Sequence, residues 1–187
     1  MRLAPEHPDR VRWNARYETT SPDFAPHPFA AEALRAGIPD GRVLEVACGR
    51  SGTALALAAS GRDVVAVDVS DLALEQLAAE ARRRGVRVEC VHADATTYTP
   101  QDDFALVVAI RFWDPDVFTR ACEAVAPGGL VQWEALASPD GGRFRVRPGE
   151  LSARLPAGFQ VLSEETTSGR HQTSRLTARR GNCRRLD

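Results

Sequence analysis

Apolar and polar positions follow two different rhythms along this chain of 187 residues. Nearly unbroken apolar runs, Val43-Leu44-Glu45-Val46-Ala47, Val64-Val65-Ala66-Val67 and Ala105-Leu106-Val107-Val108-Ala109-Ile110, punctuate stretches in which apolar residues recur every three or four places. Runs of the first kind suit strands covered on both faces of a parallel sheet. The second rhythm is that of a helix with one apolar stripe. Read in order, the pattern predicts a strand over 42–47 and a helix over 53–60 that Gly61 ends. It then predicts a strand over 63–67 and a helix capped by Ser70 or Asp71, running to Arg84 and closed by Gly85. An alternating strand over 86–91 and an apolar strand over 103–110 follow. Asp114-Pro115 opens a helix that runs to about residue 126, where Pro127-Gly128-Gly129 stops it, and 130–136 is again a strand.

Outside this core the pattern thins. Residues 1–30 hold five prolines among Trp13, Tyr17, Phe24 and Phe29, which predicts an arm with a short helix near 9–18. A helix over 29–36 stops at Gly37, with Pro39 beyond. Downstream, a short helix over 148–155, a strand over 159–165 and an alternating strand over 171–178 complete the set. Strands alternating with helices across short connections predict an α/β fold: a doubly wound, mostly parallel seven-stranded sheet with helices on both faces. The expected organisation is an N-terminal arm or lid over 1–40, one domain over 41–180 and a tail over 181–187.

Composition narrows the function classes. A formal charge of −1 gives no global attraction to nucleic acid or to an anionic membrane. No apolar run approaches the roughly 18 residues that span a bilayer, and the polar, proline-containing start lacks a signal-peptide core. The expectation is a cytoplasmic protein with no nucleic-acid or membrane partner. Cys48, Cys90, Cys122 and Cys183 form no C-x-x-C pair, so no metal site is expected. The tail beyond Arg170 holds six arginines without interleaved aromatics, which predicts a solvated end. All 24 basic residues are arginine, so lysine chemistry, whether base or Schiff base, is absent.

In open α/β sheets, ligands lie outside the carboxyl ends of the strands. Four such ends carry candidate chemistry: Ala47-Cys48-Gly49-Arg50-Ser51-Gly52, then Asp68, then Ala93-Asp94-Ala95, then Arg111-Phe112-Trp113-Asp114. A strand, a small-residue turn, a helix and a second strand ending on an acid suit a nucleoside or dinucleotide cofactor. Asp68 lies close to the roughly 20-residue offset expected of a ribose-binding acid. Its carboxylate accepts hydrogen bonds from both ribose hydroxyls in a bidentate geometry. Asp94 accepts from an exocyclic amine of adenine, or else merely caps a turn, and Val69 and Ala95 supply apolar faces for the base. The G-x-G-x-x-G spacing that wraps a pyrophosphate is absent.

V-L-E-V-A-C-G, V-V-A-V-D, A-D, F-A-L-V-V-A-I and A-P-G-G-L together resemble a class I S-adenosylmethionine-dependent methyltransferase over roughly residues 40–136. Trp13-Asn14-x-x-Tyr17 and Arg147-Pro148-Gly149-Glu150-Leu151 narrow the resemblance to the small methyltransferases of the tellurite-resistance and thiopurine type. The resemblance implies a Rossmann-like methyltransferase domain over 41–180 with S-adenosylmethionine as cofactor. It implies that Glu45 orients the loop or the cofactor's amino group. The backbone of Ala47, Cys48 and Gly49 would pass the methionyl part, Asp68 would hold the ribose and Asp94 the adenine amine. Residues from Ile110 onward would face the methyl donor. The family's D-x-G-x-G-x-G stands here as Glu45-x-Ala47-x-Gly49-x-Ser51, with Gly52 one place late. Ala47 is expected to keep a negative φ, and Ser51 to resist a left-handed turn.

Methyl transfer from a sulfonium is an in-line displacement, so orientation supplies much of the rate and a soft nucleophile needs no strong base. The acceptor is expected to be a small molecule: a soft sulfur, selenium or tellurium nucleophile, an anion, or another small metabolite. The residues after strand four lack the [DN]-P-P-[YF] set of amide and adenine-amine methylation. Trp13, Tyr17, Phe112 and Trp113 wall a small apolar pocket or else pack in the core. Arg111 binds an anionic substrate or else is a surface cation beside Asp114. His27, His171, Asp114 and Tyr17 are candidate bases, none singled out by spacing. Two alternatives stand beside this reading: a non-catalytic S-adenosylmethionine-binding module and a nicotinamide-dependent oxidoreductase. The missing third glycine spacing and the absence of a Tyr-x-x-x-Lys pair count against the latter.

Overall fold

The apolar runs form strands. The computed structural model describes residues 6–168 and 172–182. Its strands are β1 (Val43–Val46), β2 (Val64–Asp68), β3 (Val88–His92), β4 (Phe104–Ile110), β5 (Val125–Leu136), β6 (Phe159–Thr166) and β7 (Thr173–Arg180). Helices α1 (Pro8–Thr19), α2 (Pro28–Ala36), α3 (Gly52–Ala59), α4 (Asp71–Arg84), α5 (Pro115–Glu123) and α6 (Glu150–Ala153) intervene. The strands make one mixed seven-stranded sheet in the order β3-β2-β1-β4-β5-β7-β6, the α/β Rossmann-like arrangement anticipated from the pattern. His171, where the last strand was expected to begin, lies outside the described residues, as do Arg170 and Cys183. The chain divides into two compact units, Met1–Arg35 with Arg42–Tyr98 and Ala36–Gly41 with Thr99–Asp187.

In the first unit, β1, β2 and β3 pair in parallel, with Val43 opposite Val64 and Val64 opposite Val88. All four residues of β1 and all five of β2 are buried, Glu45 and Asp68 included, which explains the continuous apolar runs. β3 lies at the sheet edge and is half-exposed. Helix α4 has Ser70 as its N-cap, whose Oγ accepts from Ala73 N–H, and Gly85 at its C-terminus in the left-handed conformation (φ 67°). Both ends thus satisfy backbone groups that a helix leaves without partners.

In the second unit, β4 and β5 run parallel, and β7 pairs antiparallel with both β5 and β6. Asp114 caps α5, accepting from the backbone N–H of Asp116 and Val117, and Pro115 follows at the first helical position. The helix stops at Glu123, earlier than the Pro-Gly-Gly sequence suggests. Strand β5 already begins at Val125 and carries Pro127-Gly128-Gly129 inside it. The physical reason is a register shift: Phe104 faces Val125, whereas Leu106 faces Leu130, so the extra residues are taken up as a bulge. The Arg-Pro-Gly-Glu-Leu motif builds α6, with Glu150 accepting from Arg147 N–H at 2.9 Å and Leu151 fully buried.

Candidate functional site

The turn between β1 and α3 is shaped by two left-handed residues, Ala47 at φ 51° and Gly49 at φ 54°. Ser51 instead has φ −80° and ψ 109°, ordinary extended backbone. The expectation that Ala47 keeps a negative φ while Ser51 meets a left-handed turn is therefore reversed. Ser51 is the N-cap of α3: its Oγ accepts from Ala54 N–H at 2.8 Å and donates to Glu45 Oε2 at 2.6 Å. A glycine at this position would supply neither bond. Burial pushes the Glu45 carboxyl up to about 7, with the Ser51 hydroxyl and the nearby Ala54 N–H opposing the shift.

Asp68, at the end of β2, pins the turn from below. Its Oδ2 accepts from Gly49 N–H at 2.7 Å and its Oδ1 from Ser70 N–H at 2.8 Å. Burial raises its pKa, and these backbone donors together with His92 pull the other way. Each carboxylate oxygen offers about two acceptor sites, so both retain capacity for a hydroxyl donor. Val69, half-buried, follows, and its carbonyl lies 3.0 Å from His92 Nε2. Asp94 closes the next strand end. Its Oδ1 accepts from Thr96 N–H at 2.8 Å, its Oδ2 lies 3.2 Å from His7 Nε2, and Ala95 beside it is buried. The turn-capping role weighed for Asp94 is thus present, and one face of the carboxylate meets the arm.

The arm reaches this turn directly. Asn14 accepts from Ser70 Oγ at 2.6 Å and donates to Asp71 Oδ1 at 2.7 Å, while Arg10 Nε donates to Asp71 at 3.0 Å. Arg50 donates to Gln76 and to the carbonyls of Tyr17 and Thr20, and its guanidinium lies 4.6 Å from the Tyr17 ring centre. A Cβ on Gly49 would collide with the Tyr17 hydroxyl, and one on Gly52 with the backbone carbonyls of Phe24 and Ala25. Glycine at 49 thus serves both φ and close approach. Burial pushes the Tyr17 hydroxyl up to about 12, with the Asp68 charge adding to the shift, so it keeps its proton at neutral pH. Burial likewise keeps Cys48 a thiol. Trp13 stacks on Tyr17 at 6.0 Å and is 36% exposed.

The remaining sequence-derived candidates belong to the second unit. Ile110 ends β4, and Arg111 follows with φ 56°. The Arg111 side chain is 76% exposed and its Nε lies 3.6 Å from Glu134 Oε1. Trp113 is buried against Phe118, with the Arg154 guanidinium over its ring. Phe112 packs against Trp133, whose Nε1 donates to the Phe112 carbonyl at 2.8 Å. Asp114 is occupied as the α5 cap. His27, in the arm, faces Phe29 edge-on. Among the described residues no group of three or more His, Cys, Asp or Glu is placed to hold a metal ion. The sequence reading passed over Ser51, Ser70, Asn14 and Glu134. Of these only Ser51 carried a local signal, a serine directly before a Gly-Thr-Ala helix start.

Residues 43–129, which contain the turn, Asp68, Asp94 and β4, match the family model described as "Methyltransferase domain". This segment is a class I, S-adenosylmethionine-dependent methyltransferase domain. The ubiquinone biosynthesis O-methyltransferase of Bordetella avium (strain 197N) is 31% identical over 156 residues, covering 78% of this chain and 65% of its own. The chain spans less than two thirds of the length of the curated relatives it matches. The structure of TehB from Haemophilus influenzae superposes with a TM-score of 0.74 at 18% identity, over 91% of this chain and 66% of that one. The N-methyltransferase NodS from Bradyrhizobium japonicum WM9, solved with S-adenosyl-L-homocysteine, gives 0.71 at 14% identity, over 90% and 97%. The methyltransferase domain therefore carries its turn and both acids at the strand ends where the fold places ligands. No helix among the described residues is long and apolar enough to cross a membrane.

Proposed function

We propose that the chain transfers a methyl group from S-adenosylmethionine to a small-molecule acceptor. The observation that carries this reading is Asp68, a carboxylate 7% exposed that pins the turn through one hydrogen bond on each oxygen. Its remaining acceptor sites suit two vicinal hydroxyls, and the donor set around it fits the nucleoside end of the cofactor. Asp94 would take the adenine amine between Val69 and Ala95, and the backbone of Ala47, Cys48 and Gly49 would line the methionyl part. Glu45 acts through Ser51 to hold the turn in place. When bound, the cofactor supplies an activated sulfonium methyl. Everything else asked of the chain is orientation and exclusion of water.

Tyr17 keeps its proton and Asp114 is spent on a helix cap, which favours a nucleophile that needs no strong base. A thiol, selenide or telluride has that property. This agrees with the finer resemblance to tellurite-resistance and thiopurine-type enzymes. The near-neutral charge favours a small molecule over nucleic acid and suits a cytoplasmic protein.

Calorimetry with S-adenosylhomocysteine tests the cofactor half. Wild type is expected to bind, and Asp68→Asn to weaken binding about tenfold or more, the effect of losing a charged hydrogen-bond acceptor. Absence of binding at millimolar ligand sinks the reading. Labelled-methyl transfer to a panel of thiols, selenite, tellurite, phenols and amines tests the other half. Binding without any product would reduce the chain to a non-catalytic binding module.

A further inference from the structure

Glu134 is a buried carboxylate with an arginine at each oxygen. Arg111 Nε lies 3.6 Å from its Oε1 and Arg175 Nε 3.6 Å from its Oε2. The register makes this cluster: Ile110 faces Glu134 across β4 and β5, and Glu134 faces Arg175 across β5 and β7. All three side chains lie within the second unit, beside the carboxyl ends of β4 and β5. One guanidinium is enough to neutralise one carboxylate, so the cluster carries a surplus positive charge. The more exposed arginine is Arg111, 76% against 23% for Arg175.

Arg111 also sits where an arginine is unfavourable. Its φ of 56° places a long side chain in the left-handed region, at about 1–2 kcal/mol relative to ordinary backbone. Such strain persists where the surroundings hold it, and it concentrates at ligand-binding positions. Here Phe112, the next residue, is fastened on both sides: its N–H donates to the Glu134 carbonyl and its carbonyl accepts from Trp133 Nε1. The strained backbone aims the guanidinium outward, with its Nε side toward Glu134. The loop after β5 adds Arg145, whose Nη1 donates to the Ala137 carbonyl at 3.3 Å.

We propose that Arg111, backed by the Glu134–Arg175 pair, recognises a carboxylate on the methyl acceptor, so that the acceptor is a small organic acid. The assignment of this ligand as acceptor rests on the methyltransferase reading above. The carboxylate is favoured over a phosphate because the cluster's surplus is a single charge, which matches a monoanion. A planar carboxylate also matches the guanidinium fork.

The test uses the full chain without cofactor, titrated with benzoate, benzamide and phenyl phosphate and followed by NMR on the arginine Nε–H resonances. Benzoate is expected to bind about tenfold more tightly than benzamide, the ratio that one charge-assisted hydrogen-bond pair supplies. Arg111→Gln should abolish that preference, and Arg111→Lys should retain part of it. Glu134→Gln, which removes the competing carboxylate, should tighten benzoate binding. Equal binding of acid and amide overturns the proposal, as does a preference that survives Arg111→Gln in a chain with an unchanged melting temperature. Phenyl phosphate binding more tightly than benzoate overturns the carboxylate assignment. These titrations do not involve S-adenosylhomocysteine, so they stand apart from the calorimetry above. If benzoate binds as expected while S-adenosylhomocysteine does not, the methyltransferase reading and the acceptor role fall together and the anion site stands alone.

Discussion

Ala47 holds φ 51° where a glycine would rest without strain. Relief of a left-handed alanine is worth about 1–2 kcal/mol, and the added freedom of the unfolded chain takes back about half of that. Ala47→Gly is therefore expected to stabilise the protein by about 0.5–1 kcal/mol in urea denaturation. Ser51→Ala should act oppositely. It removes the α3 cap and the Glu45 partner together, at about 1–3 kcal/mol, and Ser51→Thr should retain most of the loss. Glu45 ties these residues to pH. Its carboxyl titrates near 7 when folded against 4.5 in an ordinary setting, so the folded state holds an extra proton between those values. Its contribution to stability is then greatest below pH 4.5 and declines as pH rises to 7. Glu45→Gln, which cannot ionise, should gain on wild type across that window by roughly 2 kcal/mol, and denaturation at pH 4.5 and pH 8 checks the sign. The sequence made Glu45 and Asp68 visible as acids at strand ends. It misplaced the strained residue because φ is set by where Asp68 draws the Gly49 amide, a contact between separate strands.

Helix α1 has no buried residue, so its position depends on polar contacts. Arg10 and Asn14 both reach Asp71, and Arg10 holds that carboxyl down to about 2. A depressed carboxyl contributes stability above its ordinary value near 3.8 and loses it as pH falls toward 2. Asp71→Asn should therefore loosen the arm without unfolding the sheet. The expected result is amide exchange at Ala15 and Arg16 faster by about tenfold, with β1 and β2 unchanged, as suits a locally opening segment. Exchange that rises equally in the strands would refute a local clamp. At this scale the sequence was most informative for elements that carry their own signals, such as α4 with Ser70 and Gly85 at its ends. It was least informative for β5, where a Pro-Gly-Gly that reads locally as a helix stop lies inside a bulged strand.

Over the whole molecule, ligand binding and stability are linked. A ligand that binds only the folded chain stabilises it by about 2.7 kcal/mol at a hundred times its Kd. For a chain of this size that corresponds to roughly 5–10 °C in melting temperature. S-adenosylhomocysteine should produce such a rise in wild type, and Asp68→Asn should lose most of it at the same concentration. An equal rise in both would remove Asp68 from the cofactor site.

By itself the sequence determined the order of strands and helices, because periodicity, caps and apolar runs are local. It also determined the identity of the acids at the strand ends, because strand ends follow from strands. Tertiary structure alone decided that Ser51 bonds to Glu45, that Asp68 pins the Gly49 amide, and that Arg111 and Arg175 share Glu134. Each of these joins side chains from different elements, and register and burial, which no local pattern records, bring them within reach.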